Sequence, residues 1–137
     1  MSQLLIPSPT GNTRIFAVVG DPVKQVKAPQ LLNQVFTEHA VDAVMIAVHA
    51  RPEQLATVIR GLQAMENFSG MLITIPYKFA AREFADKVSL AVQVSGSTNA
   101  LRRNEQGVWE ADNFDGLGFT LGLQRKGYEL AGKRVVL

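Results

Sequence analysis

The sequence predicts an α/β fold: a three-layer α/β/α arrangement with a mainly parallel, mixed sheet, a β-hairpin and helices on both faces. Three observations carry this reading. The runs "TRIFAVVG", "AVMIAV" and "GMLITIP" are almost continuously apolar, as strands buried on both faces are. Two amphipathic stretches of helical spacing separate them. The resulting strand–helix–strand–helix–strand order builds a parallel sheet with right-handed crossovers. Further on, "TNALRR" and "VWEADN" flank the polar "NEQG", which reads as a hairpin and brings antiparallel pairing.

Residues 1–12 contain Ser, Pro, Gly and Asn and read as a flexible leader. The first strand, Thr13 to Gly20, stops at Gly20-Asp21-Pro22. A helix follows over Ala28 to Ala40, with Leu31, Leu32, Val35 and Phe36 on one face. Pro29 suits its first turn, where a missing N–H costs nothing. The second strand is Ala43 to Val48, and the second helix sets Leu55, Val58, Ile59 and Leu62 on one side. The third strand ends abruptly in Pro76, Tyr77 and Lys78. The stretch from Lys78 to Gly96 predicts one or two short helices. Asp115 to Gly127 predicts a helix despite three internal glycines, with Gly127 stopping it. The final "GKRVVL" predicts the start of another strand. Such a strand is either an edge strand or, the favoured reading, a piece of a longer chain.

Composition removes several function classes. With 137 residues, 47% hydrophobic and 19% charged, the chain has the balance of one globular domain. A net charge of +2, with no basic stripe interleaved with aromatics, argues against nucleic acid. The absence of cysteine removes a disulfide framework, a thiolate metal site and a cysteine nucleophile, and fits a cytoplasmic location. No apolar run nears the roughly 20 residues that span a bilayer, so no membrane partner is expected.

In open α/β sheets ligands bind beyond the carboxyl ends of the parallel strands. Lys78 falls at such an end, where its ammonium could serve acid–base chemistry; on position alone a solvated lysine opening a helix is slightly favoured. Thr74 is a satisfied core hydroxyl or a ligand donor. Asp115, just before a helix, reads structurally as an N-cap. Gly116-x-Gly118 lacks the third glycine of a dinucleotide fingerprint, because position 121 is Leu, so no cofactor is expected on this chain. His39 and His49 have no partner at metal-ligand spacing, so no metal is expected. Ser69, Ser89, Ser95 and Ser97 sit in no nucleophile motif, and Trp109 reads as packing.

Four blocks, in order, carry a resemblance. "GDPVKQVKAPQLLN" resembles G-x-P-[IV]-x-H-S-x-S-P-x-x-H-N, "GMLITIPYK" resembles G-x-N-V-T-x-P-x-K, "GSTNAL" resembles G-A-V-N-T-L, and "NFDGLGF" resembles N-T-D-G-x-G-F. These are motifs of the shikimate dehydrogenase family, specifically of its N-terminal substrate-binding domain, and the match runs from Ile15 onward. The resemblance implies that Lys78 is the catalytic lysine and Asp115 its carboxylate partner. It implies that Thr74 and Asn99 hydrogen-bond the ring hydroxyls of a shikimate-like substrate. It divides the chain into the leader, a substrate domain over 13–114, and a linker helix and first strand of a missing Rossmann domain over 115–137. NADP or NAD would be bound in the longer protein, and a homodimer is compatible with it. The implied reaction is reversible reduction of 3-dehydroshikimate, or a related cyclic polyol ketone; alone, the chain is expected to be inactive.

The departures from the family concern the substrate carboxylate. The two serines that grip it correspond to Val26 and Ala28, and the preceding histidine to Gln25. An asparagine corresponds to Leu72, and a threonine to Phe114. An atypical member is therefore expected, because each lost partner of a buried charge costs about 1–3 kcal/mol. Either Lys24 or Lys27 replaces the serines by charge, or the substrate differs at that position; the second is favoured. A competing function of another class is a stand-alone, non-catalytic binding or regulatory domain for a shikimate-like molecule.

Overall fold

The computed structural model describes residues 8–136. Six strands form one sheet: β1 (Arg14–Gly20), β2 (Ala43–His49), β3 (Phe68–Ile73), β4 (Lys87–Val88), β5 (Ala100–Arg103) and β6 (Trp109–Asp112). Four helices accompany them: α1 (Ala28–Glu38), α2 (Leu55–Gln63), α3 (Leu90–Ser95) and α4 (Asp115–Arg125). The sheet order is β2-β1-β3-β5-β6-β4. β1 lies parallel to β2 and β3, β5 is antiparallel to both β3 and β6, and β4 closes the edge parallel to β6. The mixed α/β sheet with its hairpin is thus the architecture the sequence predicts. No helix among the described residues is long and apolar enough to cross a membrane.

Side-chain alternation assigns the two faces. Ala17, Val19, Met71, Ile73, Leu101 and Ala111 share one face with Leu55 and Ile59 of α2 and form the main core. Phe68 and Trp109 belong to it, their ring centroids 6.1 Å apart. On the other face Phe16 meets Phe36 of α1 at 5.5 Å. A buried amide pins α1 to the sheet: Asn33 donates to the Met45 carbonyl (2.9 Å) and accepts from the Met45 N–H (2.7 Å). Helical spacing groups Leu31, Leu32, Val35 and Phe36, but Leu31 and Val35 stand exposed, and the spacing gives no sign of this polar lock.

Three segments differ from the sequence expectation. Within Lys78 to Gly96 the expected helices shrink to a 3-10 turn (Ala80–Phe84) and α3, with β4 between them. The edge of β6 captures this backbone: Asp86 donates its N–H to Trp109 O (2.8 Å) and Ser89 to Ala111 O (3.0 Å). Ser89 then caps α3, and Gly96, at φ +70°, ends it. The expected terminal strand is absent over residues 133–136, which pair with no strand; Val135 and Val136 stand exposed. Extended backbone without a neighbour has no ladder to join. In the leader, residues 1–7 lie outside the described residues. Thr10 to Thr13 forms a hydrogen-bonded turn, Thr13 N–H to Thr10 O at 3.2 Å, with Thr13 Oγ1 donating to Asp42 (2.7 Å).

Candidate functional site

β1, β2 and β3 end together, and their carboxyl ends are tied to one another. Asp21 N–H donates to Ile75 O (3.0 Å), Ala50 N–H to Gly20 O (3.2 Å) and Thr74 N–H to Val19 O (2.9 Å). The buried Tyr77 hydroxyl donates to Ala50 O, and His49 Nε2 lies 2.6 Å from Asp21 Oδ1. Burial pushes the Tyr77 hydroxyl above its usual range, with the charges of Asp21 and Glu53 adding to it, so it remains a neutral donor. The packing here is close enough to need glycine. A Cβ at Gly20 would stand 2.3 Å from Thr74 Cγ2 and 3.0 Å from Ile75 O. Gly20→Ala is therefore expected to lower stability by about 1–3 kcal/mol through overpacking. Chemical denaturation checks this, and an unchanged midpoint contradicts it.

Lys78 follows this corner, and the hairpin brings two further residues to it. Lys78 Nζ donates to Asp115 Oδ2 at 2.6 Å, and Asn99 Nδ2 donates to Asp115 Oδ1 at 2.8 Å. The Lys78 carbonyl accepts from the N–H of buried Thr98 at 2.7 Å, which anchors its backbone. The Lys78 side chain is 29% exposed and that of Asp115 55%, so the pair is rigidly rooted and open to a ligand. The hydrogen bond from Lys78 holds the Asp115 carboxyl below the usual aspartate range; partial desolvation opposes it, while Asn99 and the lysine charge reinforce it. An ammonium with three donors spends one on Asp115 and keeps two for a substrate oxygen.

The structure thus brings Lys78, Asp115 and Asn99 into direct contact. Thr74 sits in the same strand-end turn, its O accepting from Tyr77 N–H (3.0 Å), and its hydroxyl makes no hydrogen bond among the described residues. The segment Lys24 to Ala28 makes no hydrogen bond or ion pair with the cluster. Lys24 and Lys27 are exposed, Val26 and Ala28 half-buried, and Lys27 is the residue from which α1 starts. Asp115 is not the N-cap the sequence suggested; that position is Phe114, and Asp115 is the first residue of α4. Its carboxylate points to Lys78, while neighbouring side chains hold two amides at the helix start: Phe114 N–H donates to Asn99 Oδ1 (3.0 Å) and Asp115 N–H to Asn113 Oδ1 (3.0 Å). Sequence reasoning missed Asn113. The signal was in the hairpin, whose register pairs Ala100 with Asp112 and so sets Asn99 opposite Asn113.

A concave space of about 440 Å³ lies beside the cluster, on the open face of β4, β5 and β6, and includes Ser89, Arg102, Glu110, Asp112 and Phe114 but neither Lys78 nor Asp115. Its charges are largely satisfied. Arg102 pairs with Glu110 at 2.8 Å, and Asp112 Oδ1 accepts from Ser89 Oγ (2.6 Å) and Asn113 N–H (2.7 Å). The Lys78 cluster is the stronger candidate because it has free donors.

Comparison with known proteins finds one family. The family model "Shikimate dehydrogenase substrate binding domain" matches residues 18–101. The NADP(+) shikimate dehydrogenase of Lysinibacillus sphaericus is 36% identical over 109 residues, covering 80% of this chain and 39% of that protein. The corresponding enzyme of an Anaeromyxobacter species is 32% identical, covering 86% and 42%. The structure of shikimate 5-dehydrogenase from Listeria monocytogenes, in complex with shikimate and NAD, superposes with a TM-score of 0.86 at 27% identity, over 93% of this chain and 43% of that one. The chain therefore spans about two fifths of the length of the curated relatives it matches.

Proposed function

The chain belongs to the shikimate dehydrogenase family through its substrate-binding domain, and on that premise we propose that it holds the ketone or alcohol of a nicotinamide-dependent dehydrogenase acting on a shikimate-like ring. The observation that carries the proposal is the Lys78–Asp115–Asn99 cluster, 2.6 and 2.8 Å on its two legs, at the carboxyl end of β3. In the reducing direction hydride adds to the ring carbonyl carbon and the C=O π pair moves to oxygen. Lys78 stabilises that developing charge and gives it a proton, leaving a neutral amine that regains a proton from water. Asp115 holds the ammonium in line and accepts from a ring hydroxyl. Thr74 and the remaining N–H of Asn99 hydrogen-bond other hydroxyls. NADP, the cofactor in the names of the relatives, is bound by protein outside these residues. Residues 13–114 form the substrate domain and 115–137 lead toward the cofactor domain, a division consistent with α4 burying none of its residues.

The substrate differs from shikimate, or shikimate is used weakly, because Val26 and Ala28 offer no hydroxyl to a carboxylate. The expected result is that a protein joining this chain to an NADP-binding domain turns over carboxylate-free polyols with kcat/KM within about tenfold of shikimate, since one or two lost partners at 1–3 kcal/mol each remove the usual preference. Comparing shikimate, quinate and carboxylate-free analogues decides it. A strong preference for shikimate with an ordinary KM overturns the altered-substrate reading and returns the carboxylate to Lys24 or Lys27.

A further inference from the structure

We infer that Asn113 is a positioning residue for the Lys78–Asp115 pair, acting on the start of α4 rather than on any ligand. As a part of a reaction this role rests on the function proposed above; as geometry it stands by itself. An aspartate at the first residue of a helix has two competing tasks. Its carboxylate can satisfy the unpaired N–H groups of the first turn, or it can reach away to another partner. In this fold it takes the second task, and its own N–H is held by a neighbour. Asn113 Oδ1 accepts from Asp115 N–H across two residues (3.0 Å), a local turn that asparagine favours. Asn99 Oδ1 takes Phe114 N–H in the same way (3.0 Å). Both Asp115 oxygens are then used outside the helix, by Lys78 and Asn99.

Asn113 is itself held at both ends. Its Nδ2 donates to Ser97 O (2.9 Å) and its own N–H to Asp112 Oδ1 (2.7 Å). Ser97 is next to Thr98, whose N–H fixes the Lys78 backbone. One short segment, 97–99, therefore holds Lys78 through Thr98, Asp115 through Asn99, and Asn113 through Ser97. Removing the Asn113 side chain frees the Asp115 amide and loosens the backbone from which the carboxylate reaches the ammonium.

The test is a cycle of four versions of the 137-residue chain: unmodified, Lys78→Met, Asn113→Ala and the double variant. NMR follows the titration of the Asp115 side-chain carbon in each. In the unmodified background Lys78→Met should raise the Asp115 midpoint. In the Asn113→Ala background the same change should shrink to less than about half, because the contact it removes is already loosened. Asn113→Ser, whose hydroxyl can accept the same N–H, should restore the larger change. An undiminished effect of Lys78→Met in Asn113→Ala, or a failure of Asn113→Ser to restore it, overturns the inference. Should these variants not fold, amide exchange in the unmodified chain decides. Corrected for local sequence, the Asp115 amide should exchange about five- to tenfold more slowly than that of Gly116, the net worth of one hydrogen bond, and equal rates overturn the inference. The proposed function fails separately, if shikimate or its carboxylate-free analogues shift no resonance of Thr74, Lys78 or Asn99.

Discussion

Lys78→Met, in a protein that joins this chain to an NADP-binding domain, is expected to lower kcat by about 10²- to 10⁴-fold, the span of general acid catalysis by one positioned group. The fold should survive. Exposed ion pairs contribute at most about 1 kcal/mol, and the structural contact of Lys78 is its carbonyl with Thr98 N–H, which methionine keeps. Asp115 is mostly exposed, so losing its partner leaves no buried charge. Steady-state kinetics paired with a thermal melt reads both quantities. Turnover within about threefold of the parent would remove Lys78 from proton transfer, and a collapsed melt would make its role structural.

The largest loss of stability is expected from Phe68→Ala. Phe68 is 1% exposed, opens β3 and packs with Trp109 inside the main core. Its removal leaves a cavity between the sheet and α2, at about 3–5 kcal/mol for a buried Phe→Ala change. A domain with a net stability of about 5–15 kcal/mol would have little left. Urea denaturation gives the value, with Phe119→Ala as a control, since Phe119 on α4 is 69% exposed. A cost below about 1 kcal/mol at Phe68 would contradict the core assignment.

How far these features could be read from sequence depended on the range of the interaction. β1 and β2 were legible because their runs are apolar almost throughout, although β2 proves to be an edge strand with Ile46 exposed rather than a buried one, and the hairpin because "NEQG" separates two alternating runs. β4 was not legible: two residues carry no period, and Lys87–Val88 becomes a strand only because β6 lies beside it. The same long-range capture turned an apparent helix around Asp86 into an edge. Lys78, Thr74, Asn99 and Asp115 were singled out through their motifs, yet position alone left Lys78 as an ordinary surface lysine. The contact that changes its standing depends on a hairpin folding back across 37 residues of chain. Asn113 was passed over because asparagine before a helix resembles any turn residue. Its hydrogen-bond partner Ser97 precedes the other strand of the hairpin. Asn33 was passed over for a related reason, since a buried amide on an apolar helical face breaks the pattern that identifies the face.

Lys24 and Lys27 remain the residues on which the substrate question turns. Both are exposed at the β1–α1 connection, beyond the carboxyl end of β1, and neither forms an ion pair among the described residues. A free ammonium there can hold a carboxylate by charge alone, but without the fixed donors a serine pair would supply. Binding of that kind weakens with salt, whereas hydroxyl contacts around Lys78, Thr74 and Asn99 do not.

The most direct test of the whole account is a ligand titration of the 137-residue chain followed by amide and side-chain NMR, with shikimate and a carboxylate-free polyol in parallel. The predicted result is fast-exchange shifts confined to Thr74, Lys78, Asn99 and Asp115 for both compounds, with Asp115 responding in its side-chain carbon. Shifts gathered instead around Ser89, Arg102 and Glu110, or none with either compound, would contradict it.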